Sequence, residues 1–254
     1  MCKIAIVNQK GGVAKTTTAI NLASGISRMG HKVLLIDLDA QFSASSAIFG
    51  SKEFDTTVYD VIVKKMNIKK TIHKASNFGF DVVTSDIMLS AADLIIAQEI
   101  GREKILFNQT KNLNYDIMIM DCPPSLGLIT VNALTACEAA LIPVCPEYFS
   151  LRGIKLLEKI LLDIEKNLST KPLLKGVLIT RYRNRVVTRE AEQAIRSYFG
   201  GKVFKTVIPE NIKIEEAHNA HLPVYEYDKN CKGSIAYRNL SKEVLKWVLR
   251  KSRK

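Results

Sequence analysis

Short runs of apolar and β-branched residues recur along the chain. Most of them are separated by longer stretches in which apolar residues return every three or four positions. The short runs are typical of buried strands, and the longer spacing is typical of amphipathic helices. The predicted strands cover residues 3–8, 32–37, 80–84, 115–121, 139–144, 173–180 and 203–208. The predicted helices cover residues 16–29, 91–107, 129–136, 151–167, 188–199 and 235 to the end.

The alternation of strands and helices predicts a mostly parallel, twisted sheet with helices on both faces, a three-layer α/β fold. With 254 residues, of which 47% are hydrophobic, the chain is long enough to bury a sizeable core. No internal repeat, low-complexity segment or linker rich in proline, glycine and serine marks a boundary, so we predict one domain over residues 1–254. Because the first predicted strand starts at Lys3, we expect no helix-turn-helix domain before it.

The composition favours a cytoplasmic protein. No apolar run reaches the roughly 18 residues of a membrane-spanning helix, and the N-terminus lacks the basic and long apolar regions of a signal peptide. The cysteines are odd in number and form no C-x-x-C pair, as expected for free thiols in a reducing compartment. They are Cys2, Cys122, Cys137, Cys145 and Cys231.

The charge balance is strongly basic. The chain has 37 lysine and arginine residues against 25 aspartate and glutamate residues, which gives a net charge of +12. The basic residues concentrate in segments 181–196 and 238–254. Such a balance suits a polyanionic partner, although a basic run without other evidence is more often a solvated surface.

The stretch 9–17, QKGGVAKTT, lies between the first predicted strand and the first predicted helix, where a phosphate-binding loop must lie. Gly11 and Gly12 permit the backbone angles with which N–H groups cradle phosphate oxygens. The helix that starts near Thr16 adds the positive end of its dipole. We expect Lys15 to supply charge to the β- and γ-phosphates, and the Thr16 hydroxyl to bind Mg²⁺.

Two aspartates close predicted strands. Asp39 ends the segment LLIDLDA, and Asp121 ends YDIMIMD. Ligands of open α/β sheets bind at the carboxyl ends of the strands. One strand-end aspartate is as often a loop cap, but two of them beside a phosphate loop predict a nucleotide site.

Six segments of this chain resemble the ParA/Soj ATPases, which partition plasmids and chromosomes, and the spacing among them extends the resemblance along nearly the whole chain. They are KGGVAKTTT, VLLIDLDAQ, FDVVTSD, DCPPSLG, IPVCPEYFSLRG and TVIPEN. The family carries a deviant Walker A box, K-G-G-x-[GA]-K-[ST]. This box explains why Gln9 stands where the standard loop has glycine, and Lys10 is its signature lysine. The implied fold is the P-loop NTPase fold of this class.

The resemblance implies an ATPase that forms an ATP-sandwich dimer. Lys10 would reach the phosphates of the partner's nucleotide, Asp39 would orient the attacking water, and Asp121 would support Mg²⁺ through a water. The residues implied in ATP binding are Gly11, Gly12, Val13, Ala14, Lys15, Thr16, Thr17 and Pro209, with Thr17 at the α-phosphate. Because Lys10 comes from the other subunit, hydrolysis is expected to be slow until a ParB-like centromere-binding partner stimulates it.

The chain departs from the family pattern at two places near the predicted site. Ala14 stands where glycine is more frequent, and a positive φ there would cost ~1–2 kcal/mol. After Asp39 the family usually reads P-Q-G-N, whereas this chain has Ala40, Gln41, Phe42 and Ser43. We expect weaker but retained nucleotide binding from the first change, and an altered rate of hydrolysis from the second.

The resemblance also gives the basic residues a role, because ATP-bound dimers of this family bind DNA without sequence preference. Arg185 and Lys213 fall where the DNA-contacting basic residues of the family lie. We therefore expect the dimer to bind duplex DNA, and the protein to be cytoplasmic and associated with the nucleoid.

An alternative is a MinD-like cell-division ATPase, which would share the loop and the dimer but end in a membrane-binding helix. Segment 240–249 mixes apolar residues with Lys242 and Lys246, as such a helix would. The last helix of an α/β domain normally packs an apolar stripe on its own sheet, so we expect no membrane binding.

Overall fold

Eight strands lie in the part of the chain that the computed structural model describes, which comprises residues 2–148, 151–168 and 173–249. They are β1 (Cys2–Ile6), β2 (Val33–Asp37), β3 (Ile72–Ala75), β4 (Phe80–Val83), β5 (Ile117–Asp121), β6 (Ala139–Val144), β7 (Leu173–Tyr182) and β8 (Val203–Pro209). All seven predicted strands are present. The sequence pattern missed β3, which is short and only partly buried.

The strands form one sheet in the order β3-β4-β2-β5-β1-β6-β7-β8. β3 runs antiparallel to β4, and every other pair of neighbours is parallel. β1 lies between β5 and β6, with Ile6 opposite Asp121 on one side and Leu141 on the other. The carboxyl ends of the parallel strands therefore meet at one edge of the sheet, here called the carboxyl edge, where ligands of such sheets bind.

Helices cover both faces of the sheet. They are α1 (Lys15–Ser27), α2 (Ser43–Phe49), α3 (Val58–Ile62), α4 (Ala92–Ile95), α5 (Ile105–Thr110), α6 (Leu128–Ala136), α7 (Leu151–Leu168), α8 (Val186–Phe199), α9 (Ile212–Asn219), α10 (Val224–Tyr227) and α11 (Lys232–Leu249). Side chains of β1 alternate between the two cores. Ile4 and Ile6 pack with α1 and α11, whereas Ala5 and Val7 lie in the core under α6, α7 and α8. The three-layer, mostly parallel α/β fold is confirmed.

The predicted helix over residues 91–107 is wrong. The chain forms α4 and α5 in this region, with 3-10 turns at Ile87–Ala91, Ile96–Gln98 and Arg102–Lys104. Gly101 has a φ of 73°, a left-handed conformation that ends helices, and the preceding Ile100 is fully exposed. The apolar residues that produced the helical pattern do not all face one core.

The last helix packs along its own sheet. The buried residues of α11 are Ala236, Tyr237, Leu240, Val244 and Leu245, and Trp247 and Val248 pack against the same core. An apolar stripe used in this way is unavailable as a membrane-facing surface. Residues 250–254 of the predicted helix lie outside the described residues. Among the residues described, no helix is both long and apolar enough to cross a membrane.

Candidate functional site

A cleft of about 410 Å³ opens at the carboxyl edge, and its volume lies in the range of small-molecule sites. It is lined by the predicted residues Gly11, Gly12, Ala14, Lys15, Thr16, Thr17, Asp39 and Pro209. The lining also includes residues that the sequence analysis did not single out: Arg181, Glu210, Asn211, Ile214, His218 and Tyr237. Arg181 lies near the end of β7, and most of the others follow β8, so their position depends on the strand order.

The loop between β1 and α1 turns through two left-handed residues. Gly12 has a φ of 70°, and Ala14, the N-cap of α1, has φ 62° and ψ 39°. The carbonyl of Ala14 accepts the first helical hydrogen bond, from Thr18 N at 3.0 Å. Since Ala14 does occupy the left-handed region, its methyl group costs ~1–2 kcal/mol in this loop.

Lys15 is buried at the start of α1, with its ammonium group inside the loop. Its Nζ donates to the carbonyl oxygen of Lys10 at 3.0 Å. Burial lowers the pKa of Lys15, whereas the nearby carboxylates of Asp121 and Asp39 act to raise it. The loop therefore carries a desolvated cation, which an anion in the cleft would stabilise.

Asp121, the last residue of β5, is completely buried. Among the residues described, neither of its carboxylate oxygens has a partner in normal hydrogen-bond geometry. Burial and the neighbouring Asp37 raise its pKa well above the usual range, while the Thr16 hydroxyl and Lys15 act to lower it. A buried carboxylate without a partner carries a large desolvation cost, which a bound cation offsets.

The carboxylate of Asp121 and the hydroxyl of Thr16 are hard oxygen donors of the kind that Mg²⁺ prefers. Within the described ranges, no group of three or more histidine, cysteine, aspartate or glutamate residues forms a metal cluster. Mg²⁺ usually keeps several waters and takes only one or two protein ligands. The residues present therefore fit a magnesium ion that is completed by water and by a bound phosphate.

Asp37 is a buried carboxylate that the sequence analysis passed over, although it lies in the segment LLIDLDA. Its oxygens accept hydrogen bonds from Ser45 N at 2.9 Å, Ser45 Oγ at 2.7 Å and Asp39 N at 3.2 Å. Burial raises its pKa to about 6. These bonds connect the end of β2 to α2 and fix the start of the loop that carries Asp39.

The loop after Asp39 has an unusual conformation at Phe42. Asp39 Oδ1 accepts from Gln41 N at 3.0 Å, and its carbonyl accepts from Phe42 N at 2.8 Å. Phe42 has a φ of 44° as the N-cap of α2, and the residue is 41% exposed. A left-handed residue here explains why a glycine suits this position in the P-Q-G-N pattern.

The end of β7 contacts the phosphate loop at two successive residues. Thr180 Oγ1 donates to Val13 O at 3.0 Å in a buried contact. Arg181 Nη1 donates to Gly12 O at 3.1 Å, and its Nη2 lies 3.6 Å from Glu210. In the sequence, Arg181 stands out only as part of a basic run, since nothing local to it predicts contact with a loop about 170 residues earlier.

Arg185 and Lys213 both lie at the carboxyl edge, outside the cleft lining. They follow β7 and β8, whose residues Tyr182 and Pro209 are partners in the sheet. Arg185 Nη1 lies 3.9 Å from Glu147, and Lys213 Nζ lies 2.7 Å from Glu216. The fold thus brings both predicted basic residues to the edge that holds the phosphate loop, each beside a carboxylate.

Comparison with known proteins places this arrangement among nucleotide-binding proteins. A family model described as an AAA domain matches residues 1–175. The sporulation initiation inhibitor protein Soj of Bacillus subtilis is 38% identical over 95% of this chain and 97% of its own length. The chromosome partitioning protein ParA of Caulobacter vibrioides is 36% identical over 95% of this chain and 93% of its own.

A solved structure shows a similar fold with ligands bound. The crystal structure of cobyrinic acid a,c-diamide synthase from Mycobacterium smegmatis contains ADP and magnesium. It covers 96% of this chain and 94% of its own, with a TM-score of 0.83 and 27% sequence identity.

Proposed function

This chain belongs to the ParA/Soj family of partition ATPases, and on that basis we propose that it is an ATP-dependent DNA-segregation protein. The observation that carries the proposal is the grouping of a glycine-rich loop and a buried lysine in the wall of the cleft with the buried carboxylate of Asp121, whose charge acts on that lysine. The eight strands lie in one sheet, which supports a single ATPase domain over the whole chain.

ATP binds, in this proposal, with its phosphates against the backbone N–H groups of Gly11–Thr17. The Lys15 ammonium moves from the Lys10 carbonyl to the β- and γ-phosphates, which remove its desolvation cost. The Thr17 hydroxyl contacts the α-phosphate. Pro209 lies in the cleft wall on the side of β8, where it contacts the nucleoside.

Magnesium is held by the Thr16 hydroxyl directly and by Asp121 through a water. When bound, the ion neutralises charge on the phosphates. The Asp121 carboxylate lies at the end of a rigid, buried strand, so its position does not depend on a mobile loop. Burial of this carboxylate destabilises the protein without ligands, because the charge is desolvated. A bound magnesium ion would offset that desolvation cost.

Hydrolysis depends on positioning and electrostatics, as phosphoryl transfer generally does. Asp39 orients the attacking water, and Asp37 with Ser45 holds the loop that carries it. Lys15 and the partner subunit's Lys10 stabilise charge on the leaving phosphates. Since Lys10 acts across a dimer interface, binding of ATP and dimerisation become one event.

The ATP-bound dimer binds duplex DNA without sequence preference, through Arg185 and Lys213. Contacts of this kind attach to the phosphate backbone and weaken as salt rises. A ParB-like centromere-binding protein stimulates hydrolysis and returns the dimer to monomers. The protein would then act in the cytoplasm, on the nucleoid.

The MinD-like alternative has less support, because α11 packs an apolar stripe against its own sheet as far as Val248. Sedimentation with vesicles of acidic phospholipid, in the presence of ATP and Mg²⁺, tests it. ATP-dependent association with the vesicles would favour the membrane function over the DNA function.

The test of the main proposal measures three properties of the purified protein with ATP and Mg²⁺. They are ATP hydrolysis, dimer formation by sedimentation velocity, and anisotropy of a random-sequence DNA duplex. We expect dimers that bind the duplex and hydrolyse ATP slowly. Asp39→Ala should still form the dimer and bind DNA but hydrolyse poorly, whereas Asp55→Ala, an exposed aspartate away from the cleft, should match the wild type. The proposal would be refuted if the protein stayed monomeric with ATP, or if its dimer did not bind the duplex.

A further inference from the structure

A row of alternating charges runs from the phosphate loop to the arginine side of the carboxyl edge. It consists of Arg181, Glu210, Arg183, Glu147 and Arg185. Each member lies within ion-pair distance of the next. We refer to these five residues as the ion-pair row.

The inner end of the row holds the phosphate loop. Arg181 Nη1 contacts the carbonyl oxygen of Gly12 at 3.1 Å, beside the buried bond from Thr180 to Val13. Arg181 itself has a φ of 50°, a left-handed conformation that a non-glycine residue keeps only where its surroundings impose it. The guanidinium group is thus set against the turn that carries Lys10.

Glu210 is the inner carboxylate of the row and joins Arg181 to Arg183. Arg183 donates to both of its carboxylate oxygens, and the Nη2–Oε1 distance is 2.7 Å. Arg181 lies farther away, at 3.6 Å from Oε1. The hydrogen bonds from Arg183 and the charge of both arginines lower the pKa of Glu210, so it remains ionised at neutral pH.

The outer end of the row is held loosely. Glu147 Oε1 lies 3.9 Å from both Arg183 and Arg185, which is ion-pair distance but too long for a hydrogen bond. The Arg185 side chain is 65% exposed. A phosphate group arriving at this edge can therefore displace Glu147 from Arg185 at little cost.

We propose that Arg181 is a positioning residue for the phosphate loop and that the ion-pair row couples it to an anion bound at Arg185. The inference rests on the proposed function, since it assumes ATP in the cleft and DNA at the edge. When a DNA phosphate binds Arg185, it displaces Glu147 from this residue. Glu147 then interacts more strongly with Arg183. Glu210 then shifts toward Arg181, and Arg181 loosens its contact with Gly12.

The alternation of charge fixes the direction of the effect. Bound DNA should weaken the hold of the loop on the nucleotide and speed nucleotide release within a subunit. By thermodynamic linkage, a nucleotide that strengthens the Arg181–Gly12 contact weakens DNA binding through the same row. Through dimerisation, bound ATP favours DNA binding. The effect of the ion-pair row has the opposite sign, so bound DNA promotes release of the nucleotide.

The measurement is the dissociation rate of a fluorescent, non-hydrolysable ATP analogue from preformed dimers, with and without saturating duplex DNA. In the wild type we expect DNA to speed dissociation about five-fold, the lower end of typical coupling factors. Glu210→Gln breaks the inner link of the row, between Arg181 and Arg183, and should remove most of this acceleration. Glu147→Gln breaks the outer link, away from the cleft, and should also remove most of the acceleration by DNA. With two variants, the coupling can still be tested if one of them fails to fold.

Two further variants separate the proposed role from a general loss of charge. Glu192→Gln removes an equal charge from α8, where Glu192 pairs with Arg196, and should keep the full effect of DNA. Arg181→Met should release the analogue faster without DNA and show no further response to it, whereas Arg181→Lys should restore part of the slow release. Thermal melting and sedimentation check that folding and dimerisation are unchanged.

The results distinguish this inference from the proposed function. Failure of the wild type to bind the analogue would refute the ATPase proposal itself. If the wild type binds it, an equal DNA effect in wild type, Glu210→Gln and Glu147→Gln would overturn the coupling. The coupling would also be overturned if DNA slowed dissociation of the analogue from the wild type. The same holds if Arg181→Met released the analogue at the wild-type rate.

Discussion

Two residues in the loops that carry the predicted site occupy backbone conformations that suit glycine. Ala14 has a φ of 62° in the phosphate loop, and Phe42 has a φ of 44° in the loop after Asp39. Strain of this kind persists where the surrounding structure imposes it, which is common at functional sites. The sequence identified both positions as departures from the family pattern, but only the structure shows that they share one cause.

Ala14→Gly should raise the free energy of unfolding by about 0.5–1 kcal/mol. Relief of the left-handed strain gains ~1–2 kcal/mol, and the added freedom of glycine in the unfolded chain removes about 0.4–1 kcal/mol. Urea denaturation without nucleotide measures the change. Ala194→Gly, at an exposed position inside α8, is the control and should lose about 1 kcal/mol. A loss of stability in Ala14→Gly would contradict the strain argument.

Lys10→Ala tests the lysine that is proposed to act across the dimer. The variant should retain some nucleotide binding, because Lys15 and the loop N–H groups remain, while ATP hydrolysis falls by roughly 10²-fold, as for loss of one group that stabilises the transition state. Hydrolysis and binding of a fluorescent nucleotide are measured side by side. Lys69→Ala removes an exposed lysine elsewhere and should behave as wild type. Full activity in Lys10→Ala would remove this residue from the mechanism.

At the scale of elements, α4 holds the N-terminus of α6. The N-cap residue of α6, Gly127, has no side chain, and the carboxylate of Asp93 accepts from Leu128 N at 3.1 Å and Ile129 N at 2.9 Å instead. A Cβ atom on Gly127 would lie 1.9 Å from Asp93 Oδ2. Asp93 thereby fixes the end of the loop that starts at Asp121.

Asp93→Ala and Gly127→Ala should each lower the free energy of unfolding by about 1–2 kcal/mol. The first removes the cap, and the second displaces it. Because the same two hydrogen bonds are lost, the double variant should be little worse than either single one. Urea denaturation of all four proteins gives the comparison. Additive losses would show that the two residues act independently.

The sequence predicted the elements with a clear run of buried apolar residues, such as α1 and every strand except β3. It failed where tertiary contacts decide the conformation. Residues 91–107 have apolar residues at helical spacing, yet Gly101 interrupts the chain and Asp93 turns to cap α6. α2, α3, α9 and α10 are at most eight residues long, too short for periodicity to identify.

At the scale of the whole molecule, the carboxyl edge combines the cleft with basic side chains. Arg185 and Lys213 are partly neutralised by Glu147 and Glu216. A DNA phosphate must compete with these carboxylates. Each of the two basic residues therefore contributes less to DNA affinity than an unpaired basic residue would. Binding then depends on several such residues together rather than on a single contact.

Arg185→Ala and Lys213→Ala should weaken DNA binding uniformly across sequences while nucleotide binding and dimerisation stay intact. If each dimer loses one phosphate contact per subunit, the double-logarithmic dependence of affinity on salt should flatten by about 2 units, each contact contributing about 0.9. A salt titration of DNA anisotropy with ATP measures the slope.

The control is Lys32→Ala, since Lys32 is an exposed lysine directly before β2 and so lies at the opposite edge of the sheet. Unchanged affinity and slope in both Arg185→Ala and Lys213→Ala would place the DNA surface elsewhere. Loss of dimerisation would assign these residues to the subunit interface instead.

Much of the candidate site was predictable because its residues lie in short segments at strand ends. The loop 9–17, Asp39 and Asp121 all follow strands with clear apolar patterns. Arg181 and Glu210 were not predictable, since the contact of Arg181 with Gly12 requires β7 to lie two strands from β1, and Glu210 pairs with Arg181 only once β8 lies beside β7. Strand order is a property of the complete fold, and no local pattern encodes it.

The central position of β1 also determines when the site can form during synthesis. β1 is made before both of its neighbours, whose paired residues are 117–121 on one side and 139–141 on the other. At ~5–20 residues per second, roughly 7–30 s pass before both neighbours of β1 have been translated. During that time the segment CKIAI, fully buried in the finished sheet, lacks its native partners. An apolar segment left without its partners in this way favours aggregation of the nascent chain and offers a site for chaperone binding.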